Sequence, residues 1–221
     1  VGRSEEELYR AFNLLTESKS KQINKVLVNR MLGVNTDNSE EFQKANIIIK
    51  TIRVQRNGKP KESMSFPKIK IKELIKQDFE NSYEYEFFET TRFLFVVFRE
   101  NEEGNFILSG SKFWNMPIEE LESIGKFEWN CYKNKFIEGI NFNIKKLKDN
   151  KQIVENDLPK KTETKIFHLR PHSSKSAYLI DGIRFGNGSE SDMDELPNGD
   201  KMTNQCFWLN NDYIKNIIKD I

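Results

Sequence analysis

Apolar and polar positions along the chain follow two periods, and each change of period marks an element. Over residues 4–33, "EEELYRAFNLL" and "QINKVLVNRMLG" place apolar residues three and four apart. That spacing predicts helix, with Gly33 as its stop. "VNTDNSEE" (34–41) breaks the pattern as a loop. Ile47–Val54 is rich in β-branched residues and predicts a strand. Asn57-Gly58 predicts a tight hairpin, because both residue types tolerate positive φ, with Lys61–Phe66 as the returning strand. "KIKIKELI" alternates basic and apolar residues before turning helical. "RFLFVVFRE" (92–100) is the most apolar run and predicts a central strand, which "ENEEGN" turns back into "FILSGSKFW". "MPIEELE" opens a helix from Ile118 to about Gly139, with acids in its first turn. Residues 147–164 form a polar excursion. "KIFHLRPH" predicts a strand ended by Pro171, and "QCFWL" and "NDYIKNIIKDI" a last strand and closing helix. Between them, residues 173–204 are rich in Ser, Gly, Asn and Asp and predict a loop long enough to be functional or disordered. The expected fold class is α/β (α+β), one domain over residues 4–221 with a mixed central β-sheet flanked by helices.

Composition supports a folded domain. Of 221 residues, 37% are apolar and 12% aromatic, with 17 phenylalanines, enough to fill a core. The net charge of +1 does not by itself argue for nucleic acid. Its distribution does: residues 44–76 carry ten Lys or Arg against two Glu, and residues 187–200 carry five acids and no base. Such asymmetry can make a basic face on a neutral protein, or simply a solvated hairpin. Cys131 and Cys206 match no metal-ligand spacing, which fits a reduced, intracellular protein. No apolar run approaches the ~20 residues that span a bilayer, and no signal peptide is visible. No membrane partner is expected. The start at Val1 rather than Met is what a piece of a longer protein would show.

Few residues carry obvious chemistry. His168 alternates with Phe167 and Leu169 and reads as a satisfied histidine on a strand, whereas His172, at the strand's exit, is better placed for a contact. No His/Cys cluster offers a zinc site, "FGNGSES" lacks the lysine of a phosphate loop, and no nucleophile elbow is present. What remains is the pattern of a metal-dependent nuclease, in which carboxylates hold a divalent ion against the scissile phosphate and a lysine stabilises charge. Glu41 stands seven residues before Ile48, and Lys50 two after it.

"EFQKANIIIKTIRVQRNGKPKESMSF" resembles the catalytic segment of the MutH family, mismatch-repair nucleases that nick at GATC. The resemblance rests on Lys50-Thr51-Ile52, Gly58-x-Pro60 and Glu62-Ser63-x-x-Phe66. "TRFLFVVFRE", "FHLRPH" and "CFWLNNDYI" are similar to its later elements, in the same order. The similarity is closer to the Sau-type GATC restriction endonucleases, whose single chain carries two MutH-like halves, the C-terminal one degenerate. "KESMSF", "ETTRFLFVVF", "RPH" and "FWLNNDYIK" are similar to that C-terminal half, from about residue 8 to the end. The resemblance implies a MutH-like restriction-endonuclease-like fold in a bacterial, cytoplasmic protein.

Carried over residue by residue, the family's Asp falls on Glu41, which could still ligate a metal. Its Glu falls on Ile48, a further helical Glu on Asn29, and only Lys50 is retained. A carboxylate replaced by an apolar side chain removes both charge and ligand. The expectation is therefore a nuclease centre filled with hydrophobic core, with no intact catalytic residue and no cofactor of its own, Mg2+ belonging to the parent enzyme's catalytic half. DNA reading needs no metal. By the same carry-over, Arg170, His172, Trp208, Asn210 and Asn211 would face the bases. Arg can grip a guanine edge and Asn an adenine edge. Lys50, Arg53, Arg56, Lys59 and Lys61 would hold phosphates, and 173–204 would be a recognition loop. Trp208 as a core aromatic and Arg170 in a structural ion pair are the plain alternatives. The expected role is GATC-specific binding of double-stranded DNA as the regulatory C-terminal half, with the N-terminal catalytic half as partner and self-association on DNA. The alternatives are an active nuclease built on Glu41, Glu62 and Lys50, and an assembly module that dimerises through apolar surface.

Overall fold

The computed structural model describes residues 1–15, 23–33, 40–61, 63–146 and 152–221, without the side chains of Glu40 and Glu41. Most of the "VNTDNSEE" segment, Glu62 and residues 147–151 lie outside the described residues, and so does part of the 4–33 helical stretch. In chain order come helices α1 (Glu5–Ala11), α2 (Ile23–Met31) and α3 (Glu40–Lys44), strands β1 (Ile47–Val54) and β2 (Met64–Lys68), and helices α4 (Ile71–Leu74) and α5 (Tyr83–Thr90). Then follow β3 (Arg92–Glu100), β4 (Phe106–Trp114), α6 (Ile118–Glu120), α7 (Lys126–Glu138), β5 (Phe142–Lys146), β6 (Gln152–Asn156) and β7 (Phe167–Pro171). Strands β8 (Ala177–Ile180), β9 (Ile183–Gly186), β10 (Met193–Glu195), β11 (Lys201–Thr203) and β12 (Gln205–Leu209) precede α8 (Asn211–Ile217). No helix among the described residues is long and apolar enough to cross a membrane. The elements form two compact units, Val1–Ser63 with Phe87–Pro117 and Asn211–Ile221, and Met64–Glu86 with Ile118–Asn210.

The first unit is built on a sheet of order β1-β3-β4, with β1 parallel and β4 antiparallel to β3. It is the mixed sheet expected of the α/β class. The run Phe93–Phe98 is buried throughout because both faces of β3 are covered. On one face Leu94, Val96 and Phe98 pack with Leu8, Leu14 and the α2 residues Ile23, Leu27 and Val28. On the other, the rings of Phe93 and Phe95 each lie 5.6 Å from Trp114, which meets Tyr213 of α8 edge-on. Arg99 donates to the carbonyls of Ile218 and Ile221 beyond α8, and Lys112 to that of Ile217, so the helix end finds donors.

The turn after β1 departs from expectation. Gly58 takes positive φ (76°), but Asn57 does not, and Gly58 N–H bonds Gln55 O at 2.8 Å. This is a four-residue turn followed by a left-handed glycine, not a two-residue hairpin. The returning strand is also corrected. Pro60 bridges back to Val54 and Lys61 N–H bonds Arg53 O at 2.7 Å, but the chain then leaves β1 to form β2 at Met64, paired with β12.

In the second unit a sheet of order β2-β12-β7 is antiparallel throughout. Its inner face carries Phe167 and Phe207, ring centroids 5.3 Å apart, with Tyr132 of α7 edge-on to Phe207. The expected 118–139 helix is one run, α6 continuing through a π-helical turn at Leu121–Gly125 into α7, and Gly139 ends it at φ 103°. Gly125 sits where an added Cβ would come 3.3 Å from the Phe167 ring, so its lack of side chain sets how closely the helix approaches β7. Two readings are corrected here. The polar excursion contributes β6, paired with β5. Residues 173–204 are not a loop but a sheet of order β10-β11-β8-β9, closed around buried Ala177, Tyr178, Leu196 and Met202. Asp181 and Gly182 supply the two positive φ values of its β8–β9 turn.

Candidate nucleic-acid interface

In the first unit, strand alternation decides what surrounds the nuclease-like position. Ile47 and Ile49 pack against the core cluster. Ile48 and Lys50 therefore lie on the other face, beside Phe93 and Phe95 in the parallel register. Both are half-buried. Ile48 is an apolar, only partly exposed side chain beside the fully buried Phe93 and Phe95, so apolar neighbours surround the position expected to have lost its carboxylate. Burial first, and then the neighbouring Lys25 charge, hold the Lys50 ammonium below its usual pKa. Lys25 lies one helical turn before Asn29 on α2, and Asn29 is buried. The Glu41 side chain and Glu62 lie outside the described residues.

Among the described residues, no three His, Cys, Asp or Glu side chains stand close enough to hold a metal ion. The described groups do not fit a divalent cation. Ile48 has no donor atom, Asn29 carries no charge, and two ammonium groups oppose a cation.

The basic residues separate into two sets. Arg53 and Lys61 both lie over the Phe106 ring, at 5.5 and 5.1 Å from its centroid. Arg56 and Lys59 are exposed on the turn. Lys50 projects from the opposite face of β1 and does not join them. Lys215 of α8 does, coming within van der Waals reach of an added Cβ at Gly58. It was invisible in the sequence because more than 150 residues separate it from the turn. Asn211 accepts from Ser63 Oγ and donates to Pro60 O, both at 2.9 Å, which ties the start of α8 to the segment after the turn.

In the second unit, the carboxylate of Glu128, only 4% exposed, accepts the backbone N–H groups of Lys165, Ile166 and Phe167. This fixes the entry to β7. At the other end Arg170 and His172 are exposed. The register pairs Arg170 with Cys206 and His168 with Trp208, so these four side chains share one face. The Arg170 guanidinium lies 5.0 Å from the centre of the Trp208 ring. His172 Nδ1 is 3.3 Å from Cys206 Sγ, and burial pushes that thiol up to about 11.

Asn210 does not reach this face as a free amide. It is buried, its Nδ2 donates to Thr164 O and Oγ1 at 2.9 and 3.1 Å, and its Oδ1 meets His168 Nδ1 at 2.5 Å. Asn210 and Asn211 are thus engaged within the fold. Arg184 is engaged too, donating to Gly188 O at 2.7 Å beside Glu190. The acidic stretch 187–200 is likewise consumed locally. Asp194 accepts the Ile71 N–H, and Glu195 pairs with Lys72 at 2.8 Å.

The family model described as the DNA mismatch repair enzyme MutH matches residues 32–125. That range includes β1, the turn and all of β3. The chain is 36% identical over 201 residues to the type II restriction enzyme Sau3AI of Staphylococcus aureus, covering 82% of this chain. It spans 40% of that relative's length. The chain therefore belongs to the MutH-like family of Sau-type restriction endonucleases.

Proposed function

We propose that this chain is the DNA-binding, non-catalytic C-terminal half of a type II restriction endonuclease that recognises GATC. It would bind duplex DNA in the bacterial cytoplasm and regulate a catalytic half in the same polypeptide, which would carry the Mg2+ site. The observation that carries the reading is the exposed end of β7. Arg170 leaves a rigid, carboxylate-anchored strand with its planar fork over Trp208, placed to turn toward a guanine edge. Ile48 and Asn29, in place of two carboxylates, support the non-catalytic role. Self-association on DNA belongs to the same proposal.

Arg170→Ala tests it. A bidentate pair contributes about 1–3 kcal/mol of base discrimination. GATC binding is expected to fall toward the affinity for unrelated duplexes, while binding to the latter changes little. A variant that melts much lower yet keeps its GATC preference would make Arg170 structural.

The turn supplies affinity without sequence. Replacing Arg53, Arg56 and Lys59 with Ala should weaken binding to every duplex. It should also flatten the salt dependence by roughly 0.9 in log–log slope for each phosphate that is no longer neutralised. An unchanged slope would show that the turn is merely solvated.

A further inference from the structure

Helix α7 has one face with work inside its unit and one without. Trp129 packs on Phe79 and Tyr132 on Phe207, both from the buried face. The opposite face exposes Phe127 (69%) and Ile137 (54%), with half-exposed Asn130 and Cys131 and exposed Asn134 between them. These positions recur three and four apart and so form one continuous stripe. The lysines that border it are drawn back onto the unit. Lys126 pairs with Glu80, Lys133 donates to Gln77 O at 2.6 Å, and Lys135 pairs with Asp157 at 2.6 Å. In a chain that is 31% charged, about three turns of helix thus present a face without a charge, with a large apolar side chain at each end.

This stripe is complementary to itself. Phe127 and Ile137 lie about 15 Å apart along the helix at 1.5 Å per residue. A second copy turned end for end, about a two-fold axis beside residue 132, sets its Ile137 against Phe127 and its Asn134 against Asn130. The same register brings the exposed Glu138 toward Lys126 of the second copy, so charge matches as well. Asn130 Nδ2 donates to Lys126 O at 2.9 Å, which leaves its oxygen to accept from an amide opposite. A highly charged partner would find no counter-charges along the stripe, whereas a second copy meets apolar ends with apolar ends and amide with amide. Two faces of this length cover less than the roughly 1,200–2,000 Å² of a stable interface. Pairing is therefore weak in the free chain, and it is favoured where two copies share one duplex, which raises their effective concentration.

We propose that the Phe127–Ile137 stripe of α7 is the surface through which a second copy of this chain pairs, antiparallel and two-fold symmetric. The pairing gives a surface to the self-association proposed above and rests on that reading only for its place on DNA. It also positions a reporter. Cys131 stands one residue from the axis, so two copies bring these thiols within roughly the 8–10 Å that separates packed helices. Cys206 is fully buried, which leaves Cys131 as the accessible thiol of the two.

A bismaleimide of about 10 Å span, matched to that helix spacing, tests the proposal. Cross-linking is measured on the concentrated chain without DNA and on the dilute chain with duplexes carrying one or two GATC sites. Dimer is expected in the concentrated chain, and at lower protein concentration on the two-site duplex. Phe127→Glu sets an unpaired carboxylate against Ile137 and should lower dimer about tenfold or more, with one-site binding unchanged. Phe127→Leu should keep the dimer. If Phe127→Glu cross-links as well as the unaltered chain, or no sample cross-links while GATC binding is intact, the inference falls and the proposed function stands. The inference falls equally if Cys131 stays open to a monofunctional maleimide on the two-site duplex, for the stripe then serves a different partner. If the dimer forms and Phe127→Glu abolishes it, but the chain has no GATC preference, the pairing stands and the proposed function falls.

Discussion

Glu128→Ala should destabilise the second unit by about 3–5 kcal/mol. The substitution strands three adjacent N–H groups at the start of β7, and each buried, unsatisfied donor costs about 1–3 kcal/mol. Burial, the largest influence on Glu128, outweighs the pull of those donors and holds its carboxyl above the usual range. Ionisation therefore adds no stability of its own, and the loss lies in the orphaned donors. Glu128→Gln keeps an acceptor and should recover part of it. Urea denaturation followed by the fluorescence of the fully buried Trp129 reads the effect, since Trp129 lies on the same helix. The same variant should lose GATC preference, because Arg170 and His172 leave the strand that Glu128 anchors. A wild-type midpoint in Glu128→Ala would show that water replaces the carboxylate at little cost.

Acid should weaken the fold through His168. Burial, and lesser effects from Lys161 and Arg170, depress its pKa from 6.5 to about 4. A group depressed in the folded state binds fewer protons there than when unfolded, so stability rises with pH through the window between the two values. The contribution is complete above pH 6.5, declines as pH falls, and is exhausted near pH 4. A shift of about two and a half units corresponds to roughly 3 kcal/mol. Unfolding free energies measured across roughly pH 4–7 should show this slope, and His168→Phe should remove it. A slope that survives the substitution would assign the acid sensitivity to carboxylates.

Where hydrophobic period and burial agree, the fold was legible. β1, β3, β4 and β12 lie where the β-branched and aromatic runs place them, because each buries enough apolar surface to override local alternatives. The sheet within 173–204 was hidden because its buried residues, such as Ala177 and Met202, are scattered among polar ones. One signal was nonetheless present. Asp181-Gly182 between Ile180 and Ile183 is a hairpin motif of the same kind as Asn57-Gly58, and it forms the turn that the latter only partly makes. The sequence named candidate residues but not their geometry. Alternation alone would have placed Lys50 opposite Arg53. Nothing local shows Lys215 beside Gly58, Asn210 holding His168, or the Lys25 charge acting on Lys50, since those relations join residues far apart in sequence. The role of Glu128 was equally hidden, because a carboxylate in a helical first turn usually faces water.

The central claim is that this chain keeps the reading of DNA and has lost its cutting. The most direct measurement is equilibrium binding to a GATC duplex in EDTA and again in magnesium, with the integrity of the duplex followed in the same samples. The account predicts a GATC preference of equal strength in both and an intact duplex throughout. Magnesium-dependent cleavage at GATC that disappears on Lys50→Ala or Glu41→Ala would contradict it.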